Sequence, residues 1–389
     1  MRSRLFGSAI YLFYFGAGGS LLPYLNLYYQ NVGMDKQQIG VLIASTTLAA
    51  VISAPVWSAL ADAFRLHRHL LPLAIFGTLL PVALISQASE FATLWVLISI
   101  YAFFNGSIVP QADNAVLVML SNDDDNNAYG KLRLWGAVGF GLSAWGGGIL
   151  AEQSGMPALF VMYLFFMFMC GLIATQLPAP RETSSEPFLR NLRRLSTNYV
   201  WIGFLTAIFL VGLASSTIHN YLVLYITDMG GGEGLYGLLI AIAGVSELPV
   251  FFFSGWLLRR FKPRGLLVIA FSMYMVRTLL LSIIPSPEWA IIPQLMHGLS
   301  FSALWSASVV YVKQIAPSGL GATAQSALTV TLFGIAGVVG GLFGANIYEV
   351  AGPVALFRIV SLTSLIGLCL FVTVEFFSRR ARQAELQPQ

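Results

Sequence analysis

Apolar residues in this chain gather in long unbroken blocks instead of alternating with polar ones. Blocks of about 20 residues, the length an α-helix needs to cross ~30 Å of hydrocarbon, fall at approximately 5–29, 38–60, 70–88, 92–119, 132–152 and 157–177. Six more lie at about 199–227, 235–258, 265–284, 289–312, 320–348 and 353–377. Between the sets runs a polar stretch that holds Arg181, Glu182, Glu186, Arg190, Arg193 and Arg194. The pattern predicts an all-α membrane protein of twelve transmembrane helices: a six-helix bundle over 1–177, a linker over 178–198, a second six-helix bundle over 199–378 and a tail over 379–389. The first block comes after Arg2 and Arg4 as in a leader peptide, but it continues to about Tyr29 without a small-residue cleavage site, so it reads as the first membrane helix.

Composition points the same way. The chain is 57% hydrophobic and 10% charged, where a soluble domain carries about 25% charged residues and must keep its outside wetted. Cations also sort by side, as cytoplasmic loops require. With both termini inside, every Lys and Arg falls on the cytoplasmic side except Lys36, in an outer loop, and Arg277 and Arg358, within helices. The outer loops hold Asp35, Glu90, Glu152, Asp228, Glu233 and Glu288. A multi-pass protein of the inner or plasma membrane with cytoplasmic termini is expected. The net charge of +4 is spread out, so there is no patch for nucleic acid. Cys170 and Cys369 each lie in an apolar run and give neither a disulfide framework nor metal-ligand spacing. A phosphate-cradling loop, a His-x-x-x-His pair and a GxSxG elbow are all missing from the sequence, so no cofactor and no enzymatic activity are expected. The run Asp123–Asn127 lacks the turn glycine of a calcium loop and has Leu134 where a bidentate Glu belongs, so it reads as a solvated loop.

A few groups inside the blocks are expensive there. A charge at mid-bilayer costs at least ~2.5–3.5 kcal/mol on insertion scales, which makes Asp113, Glu247, Arg277 and His297 site candidates. At 1.5 Å per residue, Glu247 lies roughly 18 Å below the outer boundary and Arg277 and His297 roughly 12 Å, so the three can meet. Either Glu247 and Arg277 form a fixed pair that locks the eighth and ninth helices, or Glu247 is a proton site, pulled in opposite directions by desolvation and by Arg277. His297 orients a solute, relays the proton or bonds a neighbour. Tyr14, Asn105, His219 and Asn220 line a cavity or pack. Glycines crowd the fifth block (Gly136, Gly139, Gly141, Gly146, Gly147, Gly148) and the eleventh (Gly334, Gly337, Gly340, Gly341, Gly344). Small residues at such spacing let helices approach closely, and their recurrence at the same ordinal helix suggests two pseudo-symmetric halves.

The loops after the second and eighth blocks, Ser58 to Arg65 with Asp62, and Gly255 to Lys262 with Arg259, resemble the conformational loop signature of the major facilitator superfamily. The stretch Tyr129-Gly130-Lys131-Leu132-Arg133-Leu134-Trp135-Gly136, the opening Pro23-Tyr24-Leu25-Asn26-Leu27-Tyr28, the triplet Glu247-Leu248-Pro249, Arg277 and Leu295-Met296-His297-Gly298 resemble its phenylpropionate permease and lactose permease group. The resemblance implies the major facilitator fold, a two-bundle transporter with a central cavity, usually a proton symporter working by alternating access. It places Arg277 and His297 in the coupling machinery and Glu247 at the substrate, while the family's coupling carboxylate falls here on Ser300. Asp113, Asn114 and Arg133 resemble a sugar-binding acid–arginine pair, and Phe140 aligns with an aromatic on which a sugar ring stacks. The expected function is proton-coupled symport of a small organic solute by a monomer in the bilayer. A sugar or nucleoside ranks above an aromatic carboxylate, because the buried acids have no role in holding an anion. Proton-driven export of drugs or metabolites is the alternative, and a receptor or membrane-embedded transferase is remote.

Overall fold

The computed structural model describes residues 2–64, 69–120, 128–178, 198–316 and 320–385. All regular structure among them is helical. The expected linker and the Asp123–Asn127 loop fall outside the described residues, almost entirely and entirely respectively. Each apolar block coincides with helix. The first six fall on Arg2–Leu21 continued by Leu25–Asn31, on Lys36–Phe64, on Leu70–Gly77 with Leu79–Ile85, on Phe91–Asn105 with Ile108–Met119, on Ala128–Ser154 and on Pro157–Ala174. The rest fall on Tyr199–Asp228, Glu233–Phe252, Ser254–Leu281, the broken run Pro287–Ile315, and a run from Gly321 through Glu385. Among the described residues, 9 helical stretches are long and apolar enough to cross a bilayer. The protein is a multi-pass membrane protein.

Two boundaries expected from the sequence appear as kinks rather than loops. The run Thr323–Ser378 is two helices that meet at Gly352, where φ is 83° and ψ 169°. Ser254–Leu281 bends in the same way at Lys262, with φ 58° and ψ 161°. Both bends precede a proline, Pro353 and Pro263. The proline ring excludes the preceding residue from the helical region and then starts the next helix well, because its missing N–H is not needed there. Glycine occupies this backbone region freely; lysine is held there at a cost of order 1–3 kcal/mol.

The described residues divide into two compact units. The first takes the chain up to the 179–197 stretch together with Leu222–Gly244, and the second takes the rest, including the chain up to Tyr221 and from Val245 onward. Within the first unit, helix Arg2–Leu21 lies against Ala128–Ser154 so closely that a Cβ on Gly139 would strike the carbonyl of Leu12, and one on Gly19 the carbonyl of Phe140. The glycines of the fifth block therefore set a helix crossing at backbone contact. A tyrosine just beyond the first helix clamps this pair: Tyr24 donates to the Ala144 carbonyl at 2.5 Å. In the second unit Tyr221 donates to the Gly341 carbonyl, also at 2.5 Å. Each bond spans 120 residues of chain. The two residues of the second bond lie equally far downstream of those of the first.

Gly139→Val should destabilise the protein by at least roughly 1–3 kcal/mol, the range for overpacking a tight interior, because backbone atoms cannot step aside. Gly141→Val, where a Cβ meets nothing within 4 Å, should leave thermal unfolding in detergent nearly unchanged. Equal unfolding temperatures for the two variants would contradict the packing described.

Candidate functional site

The second unit contains a chain of hydrogen bonds that starts from a buried cation. Arg277, in the helix that begins at Pro263, is 2% exposed. Its Nη1 is 2.7 Å from Nδ1 of His297 and donates to Oγ of Ser300 at 3.3 Å, and its Nη2 donates to the side-chain carbonyl of Gln294. Nε2 of His297 is 2.9 Å from Oε1 of Glu247. Gln294, His297 and Ser300 succeed one another at three-residue steps, so they share one face of their helical run. The ring of Phe301 lies parallel to that of His297, with 3° between planes and 5.4 Å between centroids.

The chemistry of arginine fixes the histidine. A guanidinium has donors only, so Nδ1 of His297 must accept and carries no hydrogen. The ring hydrogen then sits on Nε2 and points at Glu247. Glu247 reaches this position because of Gly298: its N–H donates to Oγ of Ser246 at 2.9 Å, and the Ser246 carbonyl occupies the space a side chain would need. The close approach brings Glu247, the next residue, to His297. Three of the five N–H donors of Arg277 are used by His297, Ser300 and Gln294. Nε of Arg277 is buried with no hydrogen-bond partner among the described residues, so a water or a solute oxygen can be held there.

The first unit holds a second cluster. Tyr11 donates to Oδ1 of Asp113 at 2.6 Å, a short, charge-assisted bond. Nε of Arg133 lies 4.0 Å from the same oxygen. The guanidinium of Arg133 is 4.2 Å from the ring centre of Phe15 and 5.0 Å from that of Tyr11, a cation–π arrangement. Gly136, one turn beyond Arg133, makes room for it, since a Cβ there would meet the Phe15 ring. Tyr14 donates to Oδ1 of Asn105 at 3.1 Å.

The remaining expected residues are placed less centrally. Asn114 is next to Asp113 on the same helix and is half-buried. The close contact of Phe140 is made by its backbone, against Gly19. His219 is exposed on Tyr199–Asp228. Asn220 donates to the carbonyl and hydroxyl of Ser216 on its own helix. Gly255 and Arg259 are exposed beside the Lys262 bend. Ser58 and Asp62 belong to helix Lys36–Phe64, with side chains outside the described ones, and Arg65 lies outside the described residues. Gln294 and Phe15 were not singled out from the sequence; Gln294 was within reach, being three residues before His297 in an apolar run. Also unforeseen is the buried acid Glu375, which pairs with Nε of Arg264 at 2.5 Å and accepts from the hydroxyl of Tyr311.

The chain matches the model of the MFS_1 like family over residues 6–359. The maltose permease of Geobacillus stearothermophilus is 23% identical over 376 residues, covering 96% of this chain and 94% of the permease. The probable 3-phenylpropionic acid transporter of Escherichia coli (strain K12) is 26% identical over 309 residues, 78% of this chain and 80% of that protein. A crystal structure of the nucleoside transporter NupG superposes with a TM-score of 0.82 at 17% identity, covering 96% of this chain and 99% of that one; this likeness concerns the fold alone.

Two measurements check the clusters. Tyr11→Phe should cost about 1.5–3 kcal/mol, the range for a hydrogen bond to a charged group. In an Asp113→Asn background the same change should cost clearly less, read from unfolding of the four proteins of that cycle. Gly298→Ala should lower the unfolding temperature although no polar group is removed, since the added methyl forces Ser246, and with it Glu247, away from His297. A wild-type unfolding temperature in Gly298→Ala would refute the close approach.

Proposed function

The chain belongs to the MFS_1 like family of membrane transporters, and from that premise we propose that it is a secondary active transporter moving a small organic solute together with a proton. It works by alternating access, as a monomer, through twelve transmembrane helices in two pseudo-symmetric halves, 1–177 and 199–378, joined by the linker 178–198. The matched pair of tyrosine clamps, Tyr24 on Ala144 and Tyr221 on Gly341, supports the internal duplication.

The observation that carries the reading is the sequence of bonds Arg277–His297–Glu247. A fixed lock between Glu247 and Arg277 would join them directly; here a histidine separates them. A proton entering this chain has two places to go, and each loosens a different link. On Glu247 it turns a charge-assisted bond from His297 into a neutral one, roughly half as strong. On Nδ1 of His297 it removes the lone pair into which Arg277 donates. Proton loading therefore changes how firmly helix Glu233–Phe252 is held to the run that carries His297, as a coupling element must. Glu247 is the proton site, His297 the relay and Arg277 the group that sets the histidine's tautomer. Ser300, standing where a carboxylate would serve the same end, bonds Arg277 instead.

The solute is a sugar or a nucleoside. Arg277 already gives both donors of Nη1 and one of Nη2 to His297, Ser300 and Gln294, so a carboxylate that met both terminal nitrogens would have to displace one of these partners. Arg133 is balanced by Asp113. Hydroxyl groups suit what remains beside Arg277, the acceptor Glu247 and the donors that the guanidinium keeps free. The name of the maltose permease among the relatives agrees with this class.

Glu247→Gln should abolish uphill, proton-driven uptake of the solute into proteoliposomes while sparing counterflow exchange, because the amide imitates a permanently loaded acid. The solute is found first by thermal-shift screening against sugars, nucleosides and aromatic acids. Undiminished accumulation by Glu247→Gln would remove Glu247 from the coupling role, and proton-driven efflux by the wild type would convert the reading to export.

A further inference from the structure

One group of charges plays no part in the transport site. Arg264 opens the helix after the Lys262 bend and pairs with Glu375 near the far end of the last helix. The phenyl rings of Phe271 and Phe371, at 5.4 Å, continue that contact. The two helices run in opposite directions, so the chain before Arg264 and the chain after Glu375 both lead toward the same membrane face. There Arg259, Arg260, Lys262 and Arg380 are exposed, and none has an acidic partner among the described residues. The guanidinium of Arg260 lies 5.9 Å from the Phe261 ring centre, and that of Arg380 lies 4.4 Å from the Phe376 ring centre. Trp256, Phe261, Phe376 and Phe377 are 53%, 41%, 50% and 57% exposed.

This combination has a specific chemistry. Aromatic rings exposed at the end of a membrane helix belong at the level of lipid headgroups. Cations held on ring faces stay fixed while their N–H donors remain open. Arg264 is already neutralised by Glu375, so the open charges are those that flank the pair. An anion with an apolar body, seated at the edge of the hydrocarbon, fits both features.

We infer that this end of the second unit, with Arg260 and Arg380 at its centre, is a binding site for the phosphate headgroup of an anionic phospholipid. The phosphate accepts from the two stacked guanidiniums, and the acyl chains run along the exposed rings. A bound headgroup bridges the Lys262 bend to the last helix and so tightens the end of the helix that carries Arg277.

The test uses the full chain in detergent, with lipid binding followed by native mass spectrometry. Phosphatidylglycerol should bind more tightly than phosphatidylcholine. The double variant Arg260→Gln/Arg380→Gln should weaken phosphatidylglycerol binding on the order of tenfold, as expected for two cations at an anionic lipid surface. The charge-matched control Lys131→Gln/Lys313→Gln should bind like the wild type. Equal weakening in the control would show a diffuse field and overturn the inference. So would an unchanged double variant, equal binding of phosphatidylcholine, or equally effective competition by glycerol phosphate, which would indicate a soluble anion instead of a lipid. Thermal unfolding of each variant confirms that it is folded, and the Arg264–Glu375 pair is left intact.

Discussion

A guanidinium buried within the membrane can only donate hydrogen bonds, and this constraint organises the second unit. Every group around Arg277 has to accept, so Gln294 turns its carbonyl inward, Ser300 presents its oxygen and His297 offers a bare ring nitrogen. The consequence passes through the imidazole to its other side, where the only hydrogen left on the ring meets Glu247. The two arginines of this helix make the point by contrast. Arg264 meets its carboxylate directly, and such a pair is costly to break because each partner would be left as an uncompensated charge. Arg277 meets its carboxylate only through a titratable ring, so its neutralisation depends on where a proton is.

Much of the fold could be read from block length alone. Runs of apolar residues near the hydrocarbon thickness gave helices at every expected place, and the bends at Lys262 and Gly352 fall where a proline comes next. Reading them as loops was natural, since helix assignment from composition does not distinguish a bend from a turn when the chain on both sides is helical. Depth along each helix was also legible, and it put Glu247, Arg277 and His297 at compatible levels. Direction was not. A membrane helix is apolar around its whole circumference, so the periodicity that reveals the inner face of a soluble helix is erased. Facing partners had to come from packing, and packing here is set by a residue with no side chain, Gly298, whose role is invisible until its neighbour Ser246 is seen.

The same reasoning accounts for what sequence reading missed. Glu375 is an acid near the end of the last block, where a charge usually meets water, and only its pairing with Arg264 and Tyr311 shows that it is buried. Phe140 corresponds to a stacking aromatic, and its backbone also lies against Gly19. In the first unit Phe15 and Tyr11 are the rings that lie against the Arg133 cation.

The π-helical turn Gly298–Ser302 has a consequence for how one helical run serves two assemblies. His297 and Tyr311 are fourteen residues apart, close to four whole α-turns, so an unbroken rod would aim both side chains nearly the same way. One π turn takes up an extra residue and rotates the downstream residues by roughly 100°. His297 can then address Glu247 while Tyr311 addresses Glu375, and the turn acts as an angular spacer that keeps a protonatable assembly and a static one on a single rod without either dictating the other's heading.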